Sequence, residues 1–286
     1  MKNLVMRSYA KINICLDVTG KQEDGYHTLD MVMVPIELHD TLIIRELFKA
    51  TDNFVTIDDF SNGCIHYNLA TSAIEKLAAK VGFNNKFRIS IHKVLPMQAG
   101  LGGGSSNAAA ALVGVNKYLK LGCTDEQLIE VARTLGADVP FFIKNRPMRC
   151  TGIGDIMTPI SIKNNYYVLL VKPTEGCGTR AIYEISDKME LKTGNVEAVI
   201  EALENGDDDA LAGSIFNSLQ EPAILKVPEI QNIIDTLKSK GLKIVQMSGS
   251  GSAVFALSTD KKKLVSIAKE LEKEDKYYIE ITKVIK

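Results

Sequence analysis

The chain has 286 residues, and its balance of 45% hydrophobic to 24% charged residues is that of a folded, enzyme-sized protein, which excludes a disordered or fibrous one. A formal net charge of −1 gives no bulk attraction to nucleic acid or anionic lipid, and no run of about 18 apolar residues offers a membrane span. The cysteines Cys15, Cys64, Cys123, Cys150 and Cys177 form no C-x-x-C pair, and residues 1–6 show no signal-peptide pattern, so free thiols and a cytoplasmic location are expected.

Residues 4–18 are β-branched and apolar enough for a strand, with an interruption expected at Ala10-Lys11-Ile12-Asn13. A first glycine-bearing break follows at Asp24-Gly25-Tyr26-His27. Asn68 can cap a helix whose apolar positions Leu69, Ala73, Leu77 and Val81 recur at helical spacing. Residues 87–91 alternate like a strand, and Pro96 then forces a loop that leads into an alanine-rich helix over 108–118. Thr124-Asp125-Glu126-Gln127 has the capping-box pattern, opening a helix to Leu135 that stops at Gly136. Pro140 starts a further short helix, for which Asp138 is a candidate cap.

A polar stretch at 161–165 marks the expected boundary between domains 1–162 and 163–286. Beyond it come a strand at 166–171, helices near 179–185, 196–203, 210–217 and 229–240, strands at 243–246 and 253–257, and a last helix–strand pair. The alternation is that of an α+β protein without internal repeats. His39, His66 and His92 lack ligand spacing, so no structural metal is expected.

The densest chemical signal is Pro96-Met97-Gln98-Ala99-Gly100-Leu101-Gly102-Gly103-Gly104-Ser105-Ser106. Consecutive glycines can take positive φ and let bare backbone approach a ligand. The helix they open has unpaired N–H groups and the positive end of its dipole at that point, an anion site. Ser105 and Ser106 add hydroxyls for phosphate or a metal ion. No G-x-x-x-x-G-K-[ST] pattern occurs, so this is a different phosphate loop from the P-loop.

The Pro-x-x-x-Gly-Leu-Gly-Gly-Gly-Ser-Ser segment resembles the ATP-phosphate loop of the GHMP kinases. The stretches Ala10-Lys11-Ile12-Asn13 and Met247-Ser248-Gly249-Ser250-Gly251 are similar to that family's other two motifs, in the same order. The resemblance runs from residue 4 to about 284. It implies the two-domain GHMP fold, with an N-terminal domain of the ribosomal-protein-S5-domain-2 type and a ferredoxin-like C-terminal domain. It further implies ATP with Mg²⁺, a catalytic pair Lys11 and Asp138, and phosphate contacts from Pro96, Gly100, Leu101, Gly102, Gly103, Gly104, Ser105 and Ser106.

Gly136-Ala137-Asp138-Val139-Pro140-Phe141-Phe142 and the Gly25-Tyr26-His27 segment resemble the members whose acceptor carries a cytidine diphosphate. That resemblance implies that Tyr26 stacks on the base, His27 hydrogen-bonds its edge, Tyr183 closes the other face, and Asn13 reaches the reacting hydroxyl. A monomer or homodimer is expected. Asn107, Ser72 and His92 stand where relatives usually carry aspartate, a basic residue and glutamate, and the bulky basic loop 144–150 replaces a small, glycine-rich one. Two other readings therefore stay open: a paralogous kinase for another small alcohol, and a non-catalytic binding protein of the same fold.

Overall fold

The computed structural model describes residues 3–57 and 68–286, so the expectations for Cys64 and His66 lie outside the described residues. The chain divides into two compact units built from separated segments. Met1–Ala10, Leu38–Leu95 and Gly102–Asn145 make the first, and Lys11–Glu37, Pro96–Leu101 and Arg146–Lys286 the second. The strands β1 (Leu4–Lys21) and β2 (His27–Leu47) each contribute residues to both. Among the described residues no helix is long and apolar enough to cross a membrane.

β1 is continuous through residues 10–13, where an interruption was expected. The polar residues do not break it because Lys11 and Asn13 are buried and bonded to each other. Sequence reading assigned no element to β2, which carries Pro35 in its interior. That proline lies outside the segments 29–33 and 41–47, through which β2 pairs with two later strands.

In the first unit, β3 (Phe54–Ile57) pairs in parallel with β4 (Lys86–His92), which pairs antiparallel with residues 41–47 of β2. Helix α1 (Leu69–Val81) begins at Asn68 as expected, with Thr71 completing a capping box. It packs on α2 (Gly103–Leu119), which also packs on α4 (Val139–Lys144), while α3 (Asp125–Arg133) lies against α4. Gly114 lets α2 approach the strands, since a Cβ there would meet Ile44 Cδ1 at 2.4 Å. The capping box of Thr124 and Gln127 is present, and α3 ends at Arg133, two residues short of the expected Leu135.

In the second unit, residues 29–33 of β2 pair antiparallel with β5 (Met148–Gly152), and β5 with β6 (Ile156–Pro159). The expected basic loop at 144–150 is thus a strand from Met148 onward. Met148 and Cys150 face inward, and Arg149 binds Asp30 in bidentate fashion while also pairing with Glu197. Those hydrogen bonds, Asp30 first, hold the Arg149 guanidinium even more firmly protonated than usual.

The rest of this unit runs β7 (Tyr167–Pro173), α5 (Thr179–Ser186), α6 (Val196–Asn205), α7 (Asp208–Ser214), α8 (Gln220–Lys226), α9 (Glu229–Ser239), β8 (Ile244–Met247), β9 (Val254–Ser258), α10 (Lys261–Leu271) and β10 (Tyr277–Lys283). The four strands form an antiparallel sheet in the order β10-β7-β9-β8. Ile230, Ile233, Ile234 and Leu237 of α9, and Leu264, Ile267 and Leu271 of α10, supply apolar faces for helices that pack on this sheet. Burial of each such side chain is worth about 1.5–3 kcal/mol. α8 was not expected, and its Pro222 sits in the first turn, where a missing N–H costs nothing.

Candidate active site

Within the first unit, α2 begins earlier than expected, at Gly103 rather than Ala108, so Gly103 and Gly104 form its first helical turn. Positive φ is found instead at Gly100 (73°) and at Gly102 (70°), the N-cap. Because Gly102 has no side chain, no cap bonds the first N–H groups of this 17-residue helix. The turn is therefore open to an anion, and its glycines keep side chains away from it.

The start of α2 is anchored from beneath. Ser8 Oγ donates to Asn107 Oδ1 at 2.6 Å and lies 2.8 Å from Ser106 Oγ. Asn107 Nδ2 donates to Asp40 Oδ2 at 3.3 Å. Asp40 is fully buried and accepts the backbone N–H groups of Val94 and Leu95, each at 2.8 Å, while Lys93 Nζ lies 3.0 Å from its other oxygen. Asn107, the departure from the family pattern, thus acts as a donor to an existing carboxylate, a role aspartate could not fill. Asp138 occupies the N-cap position of α4 without a side-chain capping bond, so its carboxylate is not used as a cap.

The second unit gathers a different set. Lys11 is only 4% exposed, and its ammonium donates to Asn13 Oδ1. The Asn13 N–H donates to Ser248 Oγ at 3.2 Å, and Ser248 Oγ donates to the Gly100 carbonyl at 3.0 Å. The Lys11 N–H donates to the Leu101 carbonyl at 3.1 Å. The Ser248–Ser252 loop is the tight turn of the β8–β9 hairpin, closed by Ser248 N–H to Ala253 O at 2.9 Å. It also packs on the glycine loop, for a Cβ on Gly100 would lie 2.0 Å from Ser248 O. A Cβ on Gly249 would stand 3.1 Å from Lys11 Nζ. Asn217 holds this turn by donating to the carbonyls of Met247 and Gly249.

Asp24-Gly25-Tyr26 lies in the turn between β1 and β2, with Tyr26 N–H donating to Asp24 Oδ1 at 3.0 Å. Tyr26 is 58% exposed, so its ring is not core packing. His27 stacks on Tyr183, with ring centroids 4.6 Å apart and planes at 22°. Its Nε2 is 2.7 Å from Asp187 Oδ1, and Lys21 Nζ binds Asp187 Oδ2 at 2.6 Å. Hydrogen bonds from Lys21 and then His27 hold the Asp187 carboxyl below its ordinary range. Sequence reasoning missed Asp187; its one signal is its place a helical turn after Tyr183.

Lys172 was also missed. It is buried at the end of β7, and its ammonium donates to the carbonyls of Pro173, Thr174 and Glu175. Burial lowers its pKa. Cys15, Cys123, Cys150 and Cys177 are free thiols, and burial pushes Cys15 up to about 12, which makes it inert. Among the described residues no three metal-ligating side chains cluster.

Comparison with known proteins adds to this geometry. The GHMP kinases N terminal domain model matches residues 68–146, and the GHMP kinases C terminal model residues 199–276. A 4-diphosphocytidyl-2-C-methyl-D-erythritol kinase of Clostridium perfringens (strain SM101 / Type A) is 36% identical over 89% of this chain and 88% of its own. One from Bacillus pumilus (strain SAFR-032) is 38% identical over 89% and 88%. Among solved structures, a 4-(cytidine 5'-diphospho)-2C-methyl-D-erythritol kinase superposes with a TM-score of 0.80 at 29% identity, over 99% of this chain and 100% of its own. A homoserine kinase from Cytophaga hutchinsonii, at 15% identity and a TM-score of 0.78, shares the fold. The chain belongs to the GHMP kinase family and has its two-domain fold.

Proposed function

We propose that this chain transfers the γ-phosphoryl group of ATP to the 2-hydroxyl of 4-diphosphocytidyl-2-C-methyl-D-erythritol, a step in non-mevalonate isoprenoid precursor synthesis. It is an ATP-dependent small-molecule kinase, and the substrate reading follows from its similarity to kinases of that name along nearly the whole chain. The observation that carries the reading to the residues is the His27–Tyr183–Asp187 cluster. It places one tyrosine ring and an imidazole fixed by Asp187 beside an exposed Tyr26, a set suited to a planar ligand.

In this reading the uncapped turn at Gly102–Ser106 takes the nucleotide phosphates through backbone N–H groups. Pro96, Gly100 and Leu101 shape the approach. Lys11 holds the charge that develops in transfer, Asp138 accepts the acceptor's proton, and Asn13 orients the hydroxyl. The cytosine lies among Tyr26, His27 and Tyr183. An Mg²⁺ ion would arrive on the triphosphate, with Ser105 and Ser106 as its hydroxyl partners. That ion would neutralise phosphate charge. We place the enzyme in the cytoplasm as a monomer or homodimer.

ADP release, followed with the diphosphocytidyl acceptor and with free methylerythritol phosphate, tests this. The cytidine-bearing acceptor should be preferred by at least about tenfold in kcat/KM, as base stacking is worth about 1–3 kcal/mol. Equal turnover of both would sink the proposed acceptor.

A further inference from the structure

Five described non-glycine residues have positive φ, and three of them, Lys120, Asn145 and Asp275, end helical turns where that conformation is ordinary. Gln98, at φ 51°, lies instead in the segment that leads into the glycine loop. A left-handed conformation costs a side-chain-bearing residue about 1–2 kcal/mol, so it persists only where neighbours enforce it.

The neighbours here are two loops of the same unit. The Gln98 carbonyl accepts the N–H of Cys177 at 3.0 Å and the N–H of Ser252 at 3.2 Å. The next carbonyl, of Ala99, accepts the Ala253 N–H at 3.2 Å. The Gln98 side chain covers Gly176 so closely that a Cβ there would lie 2.6 Å from Gln98 Cβ and 2.7 Å from its Oε1. Gly176 is therefore followed, through Cys177 and the N-cap Gly178, by α5, which carries Tyr183 and ends at Asp187. Thr179 Oγ1 is 3.2 Å from Ser250 Oγ, so the same turn also touches the β8–β9 hairpin.

We propose that Gln98 is a positioning residue whose side chain, seated on Gly176, couples nucleotide binding at the glycine loop to acceptor binding at Tyr183 and His27. The inference rests on the kinase and acceptor reading given above. Its physical content is a close seat: beside the Gln98 side chain, Gly176 has no room for even a methyl group. A shift of residues 96–101 toward this turn on binding phosphate carries the Gln98 side chain against Gly176. Lys172 and the Ser252 hydroxyl also hold this turn, through the carbonyls of Thr174 and Glu175, so a push on Gly176 is passed on to α5.

Gln98→Gly isolates the side chain, because glycine keeps both carbonyl bonds and accepts the backbone conformation without strain. Calorimetric titration of the cytidine-bearing acceptor, with and without a non-hydrolysable ATP analogue, reads the coupling. In the wild type the analogue should tighten the acceptor by at least about fivefold, the lower range of coupling between sites. In Gln98→Gly that factor should fall to about one, with the affinity for the analogue alone retained. A second arm uses Gly176→Ala, which should lower Tm and weaken the acceptor, and Gln98→Gly/Gly176→Ala, which should recover both. An unchanged coupling factor in Gln98→Gly, or a double variant as impaired as Gly176→Ala, overturns the inference while the acceptor reading stands. A wild type that binds the analogue but no cytidine-bearing acceptor overturns the acceptor reading, and this inference with it.

Discussion

A carboxylate at a helix start is ordinarily read as a cap, and Asp138 departs from that use by making no capping bond to α4. Asparagine keeps its shape but removes the charge and the basicity. Asp138→Asn should leave ATP binding nearly intact and lower kcat by about 10²-fold, the lower end of general-base effects. The lower end is chosen because a loose phosphoryl-transfer transition state makes positioning dominate. Single-turnover rates at saturating ATP, with Lys11→Met and the double variant alongside, check this. Two residues that act as a unit give a double variant far less impaired than the product of the singles. A rate within a few-fold of the wild type in Asp138→Asn would remove it from the proton transfer. The candidate residues named from the sequence were those carried by contiguous motifs, such as Lys11, the glycine loop and Tyr26-His27. Asp40, Lys172, Asp187 and Gln98 were not, because each owes its role to partners brought near only by folding.

At the scale of elements, caps and turns were read well, because they are local chemistry. Asn68 and Thr124 cap where expected, and Ser248–Ser252 is both hairpin turn and loop contact. The strands were read less well. Polar residues inside β1 and bulky charges in β5 contradict strand propensity, and each is resolved by a buried or charged partner. The Arg149 clamp also gives one basic residue of the stretch 144–150 an architectural role.

Lys172 allows a pH test of the turn at the end of β7. Its native pKa lies below the ordinary lysine value of about 10.4, so between the two the unfolded chain binds more protons. Stability from this group must therefore rise with pH through that window, with a slope below about 1.4 kcal/mol per pH unit. Urea unfolding of the wild type and Lys172→Met across this alkaline range should show the difference between them growing with pH. A constant difference would mean that the lysine keeps an unperturbed charge.

For the whole molecule, the α+β alternation and the glycine-loop motif were enough to reach the family. The discontinuous make-up of the two compact units was not legible, because nothing local marks residues 11–37 and 96–101 as belonging with the C-terminal half. The division at 162 and 163 remains our proposal for the domain boundary. The sheet β10-β7-β9-β8 and helices α5 to α10 all fall within 163–286. This fragment, expressed alone, should unfold cooperatively on heating, at a lower Tm than the full chain because the bonds from Gln98 and Ala99 to Ser252 and Ala253 are gone. A gradual melt would place the boundary elsewhere.

The interleaving of segments also bears on how the chain is born. Every residue of the first unit has left the peptidyl-transfer centre once Asn145 is added, so that unit is free to collapse during translation. The strand portions at 11–37 belong to the second unit and must wait, first for β5 and then, on the order of ten seconds longer at ordinary elongation rates, for the C-terminal residues that bond Pro35 and Ile36. Through that interval Ile12, Ile14, Val32 and Ile36, all buried in the finished protein, are without their later neighbours, and this is the stretch a nascent-chain chaperone would be expected to grip.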